Sequence, residues 1–172
     1  MKPLIMSLLL LPTLAGAQDY TNTNVANPDQ WYVVGGNSRA ADVFELGAMT
    51  RTGQIVGVRS VLYLTRPGNI GQGDADYVVT RNEFDCHTPG RYRILSEQHF
   101  AVGTPDPLLE TNYSQWHRDT QPNSVGLRLW NVVCGNLRDD SVFLVRDYVG
   151  KNIYTHNDVL KKVRQQARDA GY

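Results

Sequence analysis

Apolar and polar residues alternate with a period of two through most of positions 43–102, and this pattern constrains the fold more than any other feature of the chain. Successive side chains of a strand point to opposite faces of a sheet, so such alternation predicts half-buried strands. The longest run, 55–65, places Val56, Val58, Leu62 and Leu64 on one face, Ser60 among them, with Arg59 and Tyr63 on the other. A strand over 43–50, with Phe44, Leu46 and Ala48 sharing a face, precedes it across the turn Arg51-Thr52-Gly53-Gln54. Gly53 tolerates the positive φ of a tight turn, so the two strands read as a hairpin. Positions 77–86 set Val78, Thr80, Phe84 and Cys86 inward and Arg81, Glu83 and Asp85 outward. Positions 91–102 set Tyr92, Ile94, Phe100 and Val102 inward, with a twist or bulge expected near the polar Ser96 and Gln98. Strands over 31–34 and 142–149 complete a set of about six.

The period changes twice. Ser124 is placed to cap a short helix with Val125, Leu129, Trp130 and Val133 on one side and Gly135 as its stop; a strand is the alternative for so short a run. Thr155 or Asn157 caps a terminal helix whose stripe is Val159, Leu160, Val163 and Ala167, flanked by Lys161, Lys162, Arg164, Gln165 and Arg168. The stripe is narrow and has no large aromatic residue, which fits packing on the chain's own sheet better than lying on a membrane. Short connections without βαβ alternation predict an α+β fold: a mostly antiparallel sheet of about six strands, a short helix and a C-terminal helix.

Positions 1–17 read as an export signal: Lys2, an apolar core over 4–11, and the small-x-small triplet Ala15-Gly16-Ala17. Cleavage is expected between Ala17 and Gln18, followed by a polar, flexible lead-in over 18–30 and a single domain over 31–172. The apolar core is shorter than the roughly 20 residues that span a bilayer, so no transmembrane segment is expected in the mature chain. No cysteine follows the small residues, which argues against a lipid anchor. The expected location is the periplasm or the cell surface. The chain carries 17 basic and 17 acidic residues, so no cationic surplus exists to hold nucleic acid.

In an exported chain the two cysteines, Cys86 and Cys134, read by default as a disulfide. Closing a loop of that span is worth up to roughly 4 kcal/mol. Free thiols, or a metal site with His87, are the alternatives, although two cysteines so far apart lack metal-site spacing.

No catalytic motif stands out. There is no G-x-S-x-G elbow, H-E-x-x-H or P-loop, and His87, His99, His117 and His156 form no i, i+3 or i, i+4 pair. Gly68, Gly71 and Gly73 precede a β-like run rather than the helix that phosphate binding needs. Glu83 and Asp85 share a strand face that reads as solvated, and Asp139-Asp140 reads as a turn. These absences predict no enzymatic activity, no cofactor and no metal. The remaining binding hint is Tyr113, Trp116 and His117 in an irregular, proline-bearing loop; the alternative is that Trp116 folds back over the core.

The order of several sparse elements resembles the surface-adhesin protein E family of exported bacterial proteins. These are Trp31, the segment 45–49 with Gly53 and the strand 56–64, Asp85-Cys86, the basic-aromatic strand 91–100, and Trp116 followed by Pro122-Asn123-Ser124 and the apolar stretch ending at Cys134. The resemblance implies a small antiparallel sheet with a helix tethered by a Cys86–Cys134 disulfide, and an envelope or surface location. It also implies binding to an extracellular-matrix or envelope protein. An exposed strand edge offers a route to a homodimer by sheet extension. The competing readings are a periplasmic small-ligand binder, with a pocket between sheet and helix lined by residues such as Tyr92, Phe100 and Trp130, and a hydrolase with an unrecognised site.

Overall fold

The structure is a computed structural model that describes residues 28–122, 124–135, 142–152 and 154–172. The signal, the Ala17/Gln18 junction, most of the lead-in and Asp139-Asp140 lie outside these residues.

The described strands are β1 (Tyr32–Gly36), β2 (Ala40–Phe44), β3 (Thr50–Thr52), β4 (Ile55–Asn69), β5 (Asp74–Asp85), β6 (Arg91–Phe100), β7 (Leu109–Asn112), β8 (His117–Arg118) and β9 (Phe143–Leu144). They form one nine-stranded sheet in the order β7-β6-β5-β4-β2-β1-β9, with β3 beside β4 and β8 beside β6. Every pairing is antiparallel. The α+β class stands, and the sheet is larger than the six strands expected. The difference comes from short pieces. The expected strand over 43–50 is interrupted by a 3-10 turn at Leu46–Ala48, so Leu46 and Ala48 are not strand positions. The stretch expected to be irregular contributes β7 and β8. Only Phe143–Leu144 of the expected last strand is extended; Val145–Val149 turns into a short helix, α2, ended by Gly150 at φ 74.

The break after β2 has a local cause. Glu45 is almost fully buried and takes the Arg59 guanidinium on Oε2 at 2.5 Å, which draws the chain down onto β4. Gly47 then passes so close to Gln30 that an added Cβ would lie 2.7 Å from its Cα.

Two helices cover opposite faces of the sheet. Helix α1 (Val125–Cys134) begins at Ser124, whose side chain accepts from the Leu127 amide. Its Val132 and Val133 pack with Val34, Phe44, Val56, Val58 and Phe84. Helix α3 (His156–Asp169) begins in a capping box between Thr155 and Asp158, and its Val159, Leu160 and Val163 pack with Val61, Tyr63, Tyr77 and Val79. The terminal helix therefore docks on its own sheet. Tyr63, expected outward, is fully buried because α3 covers the face that alternation alone marks as solvent. A two-residue period cannot distinguish a one-sided sheet from one covered on both sides when the covering helix lies 90 residues away.

Strand β6 carries the expected bulge. The register with β5 shifts between Arg81 and Asn82, which leaves Leu95 as the extra residue. One extra residue reverses side-chain parity. Tyr92 and Ile94 therefore face α1, whereas Phe100 faces α3 and stacks on Tyr77 at 5.3 Å.

Candidate functional site

The cysteines sit where the sheet and α1 converge. Cys86 follows the end of β5, Cys134 is the last residue of α1, and the two are bonded, with Cα atoms 5.2 Å apart. No described cysteine is free, so a thiol–imidazole pair at Cys86-His87 does not form. The Trp130 indole N–H donates to the Asp85 carbonyl at 2.9 Å and holds the same end of the helix down.

The proposed loop residues Tyr113, Trp116 and His117 belong to the sheet margin, and they divide between its faces. His117 pairs with Tyr92 across β8 and lies 5.8 Å from its ring, on the α1 side. The Tyr113 hydroxyl donates to Glu97 at 2.9 Å, also on that side. Trp116 lies on the opposite face, where the guanidinium carbons of Arg91 and Arg93 both stand 4.7 Å from its ring centroid. Trp116 does not turn back into the apolar core. Arg91 and Arg93 are held in place by Asp85 at 3.0 Å and Glu83 at 2.6 Å. Glu83 and Asp85 are thus each committed to an arginine, which leaves no acid–base pair. Cation–π stacking on both guanidinia fixes an indole at the sheet surface in a rigid frame.

The second concave feature lies on the α1 face. A cavity of about 320 Å³ opens between the first turns of α1 and the sheet. Its floor is polar: Asn82 donates to Ser60 Oγ at 2.9 Å and Thr80 Oγ1 at 2.7 Å, and those two hydroxyls lie 2.6 Å apart. Phe44, Phe84, Tyr92 and Leu129 contribute apolar walls, and Asp42, Glu97 and Asp119 contribute carboxylates. Burial pushes the Asp42 carboxyl up to about 6, against the opposing pull of Arg128. Arg128 reaches past Gly35 to donate to the Val34 carbonyl at 2.7 Å; a Cβ on Gly35 would fall 1.2 Å from its Nη2. Of the residues expected to line such a pocket, Tyr92 does so, while Phe100 faces α3 and Trp130 is engaged beside the disulfide. Ser60 inside an apolar run was the readable sign of this floor. Asn82 carried the same sign, since it shares a face with Val78 and Phe84. Asp42 and Asp119 had none, because their placement depends on cross-strand register and on the approach of α1.

Residues 31–135 match the family described as Surface-adhesin protein E. The chain belongs to this family. The surface-adhesin protein E match runs from Trp31, which opens the sheet, to Gly135, one residue past the disulfide. It includes the Trp116 stack and the α1-side cavity, and it ends before α2 and α3. No curated protein and no solved structure matches the chain. Among the described residues, no helix is long and apolar enough to cross a membrane, and no group of three His, Cys, Asp or Glu side chains converges to hold a metal ion.

Proposed function

We propose that this chain is an exported, non-enzymatic envelope or surface protein that acts by binding another protein, of the extracellular matrix or of the envelope itself. Membership of the surface-adhesin protein E family is the observation that carries this reading. The Trp116 stack supplies the contact surface. Tryptophan and arginine dominate the energetic centres of protein interfaces, and here an indole and two guanidinia are fixed before any partner arrives.

The test is a binding screen of the oxidised mature protein against immobilised matrix proteins and envelope fractions, repeated with Trp116→Ala. A partner that is retained by the parent and weakened at least about tenfold by the substitution supports the reading. Absence of any partner in both panels, or a partner indifferent to Trp116, removes it. Fractionation of cells expressing the full chain tests export: a processed form starting at Gln18 outside the cytosol is the expected result.

A further inference from the structure

We propose that the cavity between α1 and the sheet is a binding site for a small organic cation: a protonated amine on an apolar body. The cavity, about 320 Å³, lies at the lower end of the range for small-molecule sites and suits a ligand of roughly a dozen non-hydrogen atoms. Its chemistry is one-sided. Asp42, Glu97 and Asp119 line it, and no Lys, Arg or His is among its described lining residues. The floor presents an acceptor as well. Asn82 is only 8% exposed and directs its amide N–H groups to Ser60 and Thr80, so its Oδ1 is engaged by neither of them. A ligand N–H placed against the floor can use that oxygen as a further acceptor.

The local countercharges do not supply what is missing. Glu97 receives the Tyr113 hydroxyl, and His99 Nε2 stands 3.8 Å away. Asp119 receives the Gln121 amide at 3.3 Å. Arg128 acts on Asp42 from outside the cavity lining and leaves that carboxyl still raised. The acids do not converge as metal ligands, so a single metal ion is a poor match and an extended cation a better one. Tyr92, Phe84 and Phe44 offer ring faces to such a ligand, which favours an ammonium on an aromatic or aliphatic body over a highly hydrated one.

The experiment is an amide-resolved NMR titration of the oxidised mature protein with three probes of one shape: phenethylamine, 2-phenylethanol and 3-phenylpropanoate. Phenethylamine is expected to shift Ser60, Thr80, Asn82 and Gly126 saturably. The alcohol should bind about tenfold more weakly or worse, and the carboxylate should not bind. Glu97→Gln and Asp119→Asn, both at the cavity margin, should each weaken amine binding about tenfold with the far-UV spectrum unchanged. Three results overturn the proposal: no saturable shift up to about 10 mM, the weak end for a ligand this size; equal affinity for amine and alcohol; or shifts centred elsewhere. Trp116→Ala should leave amine binding intact, so failure of this site and failure of protein binding are separable.

Discussion

Asp42 gives a stability prediction whose sign and window can be worked through. It stands on β2, facing α1 and lining the cavity, and burial lifts its carboxyl from 3.8 to about 6. A shift of that size corresponds to about 3 kcal/mol. Between the two values the folded protein keeps a proton that the unfolded chain has released. Stability therefore falls as pH rises through this window, and the loss is complete above about 6. Asp42→Asn removes the titration and leaves the shape. The stability of the variant minus that of the parent should be greatest at pH 7. It should shrink by about 1 kcal/mol at pH 5 and by about 2 kcal/mol at pH 4. Urea unfolding of both oxidised proteins at pH 7, 6, 5 and 4 measures this difference, and groups that titrate alike in the two proteins cancel. A difference that stays flat from pH 7 to 4 refutes the assignment of a raised carboxyl to Asp42. A parent less stable than D42N at pH 7 would mean that the chain retains a carboxylate there at the expense of its own stability.

His156 should show the opposite sign: burial lowers it from 6.5 to about 4, so its contribution is lost as pH falls through that window. The difference between parent and His156→Gln should therefore move against the parent by up to about 3 kcal/mol from pH 7 to 4, read by the same urea series. Replacing both cysteines, Cys86→Ser with Cys134→Ser, opens a loop of 48 residues and should lower the unfolding free energy by up to about 4 kcal/mol; unchanged stability would remove the staple from the account. Leu160→Ala should cost about 2–5 kcal/mol, since the side chain is 2% exposed within the α3 cluster; a loss under 1 kcal/mol in thermal melts would argue that α3 does not dock as described.

The parts legible in the sequence were those written locally. The hairpin across Gly53, the capped helix from Ser124 to Cys134 and the stripe of α3 each follow from a turn residue, a cap or a period. Tyr63 was misplaced because its burial depends on a helix far along the chain. Leu46 departs from the expected strand because a buried Glu45–Arg59 pair ends what propensity alone would extend, and Val145 because β9 passes directly into α2, a five-residue helix closed by Gly150. The binding residues followed the same rule. Trp116 was singled out by its composition, but its two arginine neighbours become visible only in the register of β6 with β8. The cavity shows two sequence traces, Ser60 and Asn82 among apolar neighbours of the same face, and its carboxylates arrive from β2, β6 and the segment after β8.

The unpaired Leu95 works as a parity switch within β6. Before it the even-numbered residues Tyr92 and Ile94 face α1, and after it the odd-numbered Glu97 does, while Phe100 reaches the α3 face, so one strand contributes to two cores. Deleting that one residue would turn Glu97 toward the α3 core and Phe100 toward the α1 side, exchanging a carboxylate for an aromatic ring in both layers. The chain should thus accept added length at the β4–β5 tip around Gly71, where an added Cβ would meet nothing within 4 Å, and refuse the loss of a single residue at Leu95. Length variation among relatives, or in an insertion library, should respect that boundary.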